Sequence, residues 1–319
     1  MKKLITMALI ASSIAITTMP AQANLKPRTL TPTLAILDTA LDTSIPSISS
    51  KLVYEVCILD WASCPNGKSF MEGPGSTVLP IKFLKSPDFN HGTQMASIAI
   101  ANNPTLNIVF VRIYGNTMSG KRQTTGVNTL VNALNWVQKN KDKYNIVAVS
   151  ASQGTPTPVL NRPVSNYCDA TVLNPVVSNL LLSGVPVFFP SGNSAGNVKM
   201  KNKIEWPSCI SESIAVGGVE TLNLDKPQIS LTSNYDSNLV DLWGEIQQPS
   251  IFPGNVNGYS YGTSVSTQVI ASKYVLLKSS KPNLTVSQLI DLMKTSSVPV
   301  SNSLMQNVYL FNLSKALNG

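Results

Sequence analysis

Thr33-Leu34-Ala35-Ile36-Leu37-Asp38 sets four consecutive apolar residues in front of a carboxylate. A strand with one face in water alternates apolar and polar side chains. A run that is apolar at every position fits a strand covered on both faces, as in a parallel sheet. The pattern recurs at Asn107-Ile108-Val109-Phe110-Val111, Ile146-Val147-Ala148-Val149, Val185-Pro186-Val187-Phe188-Phe189 and Ser213-Ile214-Ala215-Val216-Gly217. Between the second and third of these strands, Val127, Leu130, Val131, Leu134 and Val137 keep the i, i+3, i+4 spacing of a helix face within 126–139. Residues 170–182 read as a further helix. Two more close the chain, over 263–278 and 285–294, the second with Thr285 as its N-cap. Strand alternating with helix predicts an α/β fold: a single doubly wound, mostly parallel sheet with helices on both faces. Residues 24–319 are expected to form one domain, with a cysteine-bearing excursion near 50–80.

Composition supports a folded chain and narrows its partners. Of 319 residues, 43% are hydrophobic and 13% are charged, which excludes a polar, highly charged disordered chain. The formal charge of +8 is spread out. Its densest groups, Lys139-Asn140-Lys141-Asp142-Lys143 and Lys199-Met200-Lys201-Asn202-Lys203, read as solvated helix ends and loops. A nucleic-acid footprint needs aligned bases, so no nucleic-acid partner is expected.

The first 23 residues have the order of an export signal. Lys2 and Lys3 precede a mostly apolar stretch, and Ala21-Gln22-Ala23 supplies a small-x-small cleavage site. Thr6, Ser12, Ser13, Thr17 and Thr18 interrupt that stretch, whereas a membrane span needs roughly 20 predominantly apolar residues. The expectation is a cleaved signal over 1–23, no membrane span afterwards, and a secreted or periplasmic protein. Such compartments permit disulfides, and Cys57, Cys64, Cys168 and Cys209 are even in number. Three pairings are open; the short loop between Cys57 and Cys64 favours bridges 57–64 and 168–209. With no C-x-x-C and a single histidine, no zinc site is expected.

That histidine lies in Asn90-His91-Gly92-Thr93-Gln94-Met95-Ala96-Ser97-Ile98, a turn entering a small-residue helix. Upstream, Asp38 stands at the carboxyl end of a buried strand, the edge where α/β proteins place their sites. Downstream, Gly262-Thr263-Ser264 opens a buried helix, and Pro190-Ser191-Gly192-Asn193 follows another strand. Each residue alone has an ordinary reading: Asp38 as a turn residue, Ser264 as an N-cap, Asn193 beside Gly192 as a turn. Taken in order, Asp38-Thr39, His91-Gly92-Thr93, the strand into Asn193, and Gly262-Thr263-Ser264 resemble the signatures of the subtilisin-like serine peptidases. Trp206-Pro207 and Ile214-Ala215-Val216-Gly217-Gly218 resemble the segment that follows the asparagine, so the resemblance runs from about 33 to 297.

The resemblance implies an exported serine endopeptidase acting on protein or peptide substrates through Asp38, His91 and Ser264. Asn193 would stabilise the oxyanion, and Ser152-Gln153-Gly154 with Pro190-Ser191-Gly192 would line the pocket for the residue before the scissile bond. Asp42 fits the family's spacing but could equally be a surface carboxylate. No cofactor is expected. No D-x-D-x-D loop marks calcium, although subtilases build calcium sites from scattered carbonyls and carboxylates. The sequence departs from the family pattern at Ala40 and at Val265-Ser266-Thr267-Gln268, positions that bear on packing and specificity. The stretch between the signal and Asp38 is too short for a fold-assisting propeptide, which implies unaided folding, a folding or inhibitory partner, or restraint by other means.

Three rivals remain on the sequence: a catalytically silent subtilase-like binding protein, a secreted esterase or lipase, and a basic surface-binding protein. Gly192-Asn193-Ser194-Ala195-Gly196 satisfies the nucleophile-elbow pattern of the second. That fold needs its histidine after the serine, and the chain's one histidine precedes it.

Overall fold

Every residue of β1 (Thr33–Asp38) is buried, and its side chains divide between two cores. Leu34 and Ile36 point into one with Ala96, Ala99, Ile270 and Tyr274; Ala35 and Leu37 point into the other with Leu130, Leu134, Val137 and Val177. The computed structural model describes residues 31–154, 168, 171–195, 203–222, 226–236, 238–300 and 308–318. Residues 1–23, expected to be an export signal, and the bases Lys199 and Lys201 lie outside the described residues.

The remaining strands are β2 (Leu52–Ile58), β3 (Phe70–Glu72), β4 (Asn107–Arg112), β5 (Ile146–Ala151), β6 (Val187–Pro190), β7 (Ile214–Glu220) and β8 (Gln228–Ile229). Then come β9 (Leu242–Glu245), β10 (Gln247–Phe252), β11 (Val256–Tyr261), β12 (Val298–Pro299) and β13 (Tyr309–Leu310). The main sheet runs β12-β13-β9-β7-β6-β5-β1-β4-β2-β3, with β8 on β7; β10 and β11 form a separate hairpin. From β9 through β2 all neighbours are parallel, in registers such as Asp38 opposite Arg112 and Val149 opposite Val187. The fold is therefore α/β with a mostly parallel sheet.

Helices α1 (Pro46–Ser49) and α2 (Ile81–Leu84) are single turns. Helices α3 (His91–Asn102), α4 (Val127–Tyr144), α5 (Asn174–Leu182), α6 (Thr263–Ser280), α7 (Val286–Thr295) and α8 (Leu313–Asn318) are the longer helices among the described residues. Residues of α3 and α6 line the core with Leu34 and Ile36, and those of α4 and α5 line the other. Thr285 caps α7 in a capping box with Gln288.

Two expectations shift. The cysteine-bearing stretch is no excursion: β2 joins the sheet beside β4 and β3 forms its edge, because Val56, Cys57 and Ile58 are buried there. Helix α4 runs to Tyr144, past the expected end at 139. Lys141 and Lys143 favour its negative C-terminus, and the break comes only at Asn145, which adopts φ 49°. Cys57 and Cys64 stand at disulfide distance (Cα–Cα 5.9 Å), as do Cys168 and Cys209 (5.5 Å). No described helix is long and apolar enough to cross a membrane.

Candidate active site

The carboxyl ends of three adjacent strands, β1, β5 and β6, open on the same edge of the sheet. That edge is where parallel α/β proteins form clefts. Asp38 ends β1, Ser152 and Gly154 follow β5, and Gly192 and Asn193 follow β6. Helices α3 and α6 bring His91 and Ser264 to the same place. One cavity of about 210 Å³ is lined by Asp38, His91, Ser152, Gly154, Pro190, Gly192, Asn193 and Ser264, together with Thr39, Tyr114, Arg122, Glu205 and Thr263.

Asp38 is 1% exposed and His91 side-chain exposure is 32%. The imidazole Nδ1 sits 2.8 and 3.0 Å from the two Asp38 oxygens. An ionised carboxylate only accepts, so Nδ1 carries the hydrogen and Nε2 presents its lone pair. The Thr39 backbone N–H donates to Asp38 Oδ1 at 2.7 Å. The Thr39 hydroxyl donates to the Phe89 carbonyl at 3.0 Å and accepts from the Gly92 N–H at 2.9 Å, so the residue after the acid fixes the start of the helix that carries the base. Gly92 permits that approach: a Cβ there would stand 2.5 Å from the Ala40 carbonyl oxygen.

Burial of the ring disfavours its charged form, but the charge and hydrogen bond of Asp38 outweigh this. His91 titrates above its ordinary value of 6.5, with Arg122 pulling weakly the other way. Tyr114 is pushed upward by burial, then by the Asp38 charge. Its hydroxyl donates to the Gln153 side chain.

Ser264 enters in the first turn of α6, whose early N–H groups have no intrahelical acceptor. The helix is aimed from behind by the β10–β11 hairpin, which is tied to α3. The Ile251 N–H donates to Ser97 Oγ at 2.9 Å, and Ser260 bonds both Gln94 and Ser250. Asp42 is 3% exposed and no surface carboxylate. It accepts from Ser44 and, at 2.7 Å, from the Gly254 N–H at the hairpin's turn. Among the described residues Ser264 makes no hydrogen bond to His91; the two share the cavity wall.

Asn193 is exposed, with its carboxamide oxygen held by the Thr263 N–H at 2.8 Å and the Thr263 hydroxyl at 3.1 Å. Anchoring the oxygen leaves the NH₂ as a free donor beside Ser264. A serine hydroxyl, an imidazole held by a carboxylate, and a separate amide thus line one cavity, an arrangement able to support acyl transfer.

Gln153 and Ser191 do not line the cavity: the first is engaged by Tyr114, and the second is fully buried with its hydroxyl on the Asn234 carbonyl. Ser194, the elbow serine, donates its hydroxyl to Glu205 at 2.9 Å. The sequence reading missed Glu205, Tyr114, Arg122 and Thr263. Glu205 carried a signal, as an acid inside the otherwise apolar run Ile204-Glu205-Trp206. Among the described residues, no group of three or more His, Cys, Asp or Glu could hold a metal ion.

A profile described as the subtilase family matches residues 31–312. Subtilisin NAT from Bacillus subtilis subsp. natto and subtilisin E from Bacillus subtilis (strain 168) are each 25% identical to this chain over 292 residues. The match covers 89% of this chain and 65% of each relative, so the chain spans less than two thirds of their length. The crystal structure of a cold adapted subtilisin-like serine proteinase superposes with a TM-score of 0.62 at 20% identity, over 89% of this chain and 88% of that one. A lanthipeptide protease gives 0.63 at 16%, over 90% and 86%. These superpositions establish the fold.

Proposed function

Since the chain belongs to the subtilase family, we propose that it is an exported serine endopeptidase, in which residues 24–319 hydrolyse peptide bonds through Asp38, His91 and Ser264. The observation that carries the reading is the Asp38–His91 pair opening onto a cavity shared with Ser264 and the free Asn193 amide. Export is supported by the signal-like pattern of 1–23 and by two cysteine pairs at bonding distance.

In this mechanism His91 Nε2 takes the Ser264 hydroxyl proton as Oγ bonds to the substrate carbonyl carbon, while Asp38 holds the ring and stabilises the imidazolium. The carbonyl oxygen becomes an oxyanion, to which the Asn193 NH₂ and a first-turn N–H of α6 donate. Collapse of this intermediate breaks the C–N bond. His91 gives its proton to the departing amine, leaving an acyl-enzyme. Water, deprotonated by His91, then attacks the ester and releases the acid, and Ser264 recovers its proton.

A fluorophosphonate should label Ser264 and no other serine, and labelling and casein digestion should both vanish in Ser264→Ala and His91→Ala. Labelling at Ser194 instead, or full digestion by His91→Ala, would sink the reading.

A further inference from the structure

We propose that Glu205 makes this cavity select lysine or arginine as the substrate residue on the acyl side of the cleaved bond, an inference that rests on the peptidase reading above. Glu205 is only 7% exposed and lines the cavity that holds Ser264 and His91. Its backbone N–H donates to the Ser191 carbonyl at 2.8 Å, which sets it against the loop that follows β6. The side chain then lies across the two glycines of the cavity wall. A Cβ on Gly192 would stand 2.5 Å from its Cγ and Cδ, and one on Gly154 would collide with its carboxylate. Gly192 also takes φ +114°, where a side chain would be strained. The wall is bare at these two points, so the carboxylate is its chemical feature.

A buried carboxylate is ordinarily matched by a cation or by several donors. Glu55, 6% exposed, follows that rule: it accepts from the Gly75 N–H, the Thr77 N–H and the Thr77 hydroxyl. Glu205 accepts from the Ser194 hydroxyl at 2.9 Å and has no ion pair among the described residues, and burial outweighs that hydrogen bond and raises its pKa. Arg122, the one cation lining the cavity among the described residues, stacks on the Tyr114 ring at 5.2 Å and acts on His91. A cationic substrate side chain entering the cavity would bring the counter-charge that the described residues do not supply. Lysine and arginine are the side chains that carry such a cation.

The test is a peptide-pool digest read by mass spectrometry, with purified wild type, Glu205→Gln and Glu205→Asp. Wild type should cut after Lys and Arg. Glu205→Gln should lose about 10²-fold in kcat/KM on an Arg substrate, the scale of removing one partner of a buried charge pair. Its preference for Arg over an apolar analogue should collapse while the fluorophosphonate still labels Ser264, and Glu205→Asp should retain the basic preference in part. Wild type that cuts after small or apolar residues, or Glu205→Gln with unaltered preference, would overturn the proposal while labelling at Ser264 upholds the peptidase. A wild type that neither labels nor cuts would overturn both.

Discussion

Asp38 and Glu205 are two carboxylates, each less than a tenth exposed, on the wall of one cavity, and the chain treats them in opposite ways. Asp38 is given a partner from within: His91 at 2.8 Å, with the Thr39 N–H on the same oxygen. Glu205 is given a serine hydroxyl and, among the described residues, no ion pair. A charge that must orient a ring on every turnover gains from a fixed partner. A charge that must discriminate between substrates gains from having its partner delivered by one of them. The difference separates rate from selectivity along a single cleft.

Replacing Asp38 by Asn attacks the rate end most severely. The amide can donate to Nδ1, which reverses the tautomer, and the loss should be on the order of 10⁴ in kcat, as for the same exchange in other Ser-His-Asp enzymes. Digest patterns should keep the same residue preference. A changed preference would mean that the two ends are not separable.

Asn193→Ala comes next, with kcat about 10²–10³ lower and KM little moved, the loss found on removing this kind of donor in a subtilisin. A raised KM with unchanged kcat would make Asn193 a substrate-positioning residue and would move it to the other side of the comparison.

Thr263→Val removes one of the two donors on the Asn193 oxygen and leaves the backbone one, so a loss of about 10-fold in kcat is expected. Steady-state kinetics beside Asn193→Ala in a double-mutant cycle would show whether Thr263 acts through Asn193. Full additivity would mean that it does not.

The smallest effect is on pH. His91 must be neutral to accept a proton, so kcat/KM should fall as pH drops through its raised pKa, with a midpoint above the ordinary 6.5. Arg122 opposes the imidazolium. Arg122→Gln should therefore shift the acid limb upward, by less than the changes above because Arg122 is the last and least of the causes acting on the ring. A downward shift in the pH profile would show that Arg122 does not act on His91.

Much of the sheet could be read from the chain because both-face burial writes itself as apolar runs, as in β1 and β4. Asp38, His91, Asn193 and Ser264 stood out only together, because their motifs taken in order resemble the signatures of the subtilisin-like serine peptidases, whereas each alone reads as a turn or a cap. The hairpin β10–β11 was not. Gln247-Gln248-Pro249-Ser250 and Val256-Asn257-Gly258 look like loop, and their order comes from polar anchors on α3 that no local pattern records. Glu205 was hidden for a related reason: sequence gives the charge of a side chain, and only packing decides whether that charge is buried and what it faces.

The ties from Ser97 and Gln94 to the hairpin, and from Asp42 to Gly254, join segments that leave the ribosome far apart in time. Helix α3 and the loop after β1 are synthesised long before residues 247–264. The docked hairpin adds these polar ties to the apolar packing of Met95 and Ile98 on Val265 and Val269, which sets α6 against the helix that carries His91. A cavity wall drawn from Asp38, His91 and Ser264 alike is complete only once the chain has been made through residue 264, so any shorter nascent polypeptide lacks part of it.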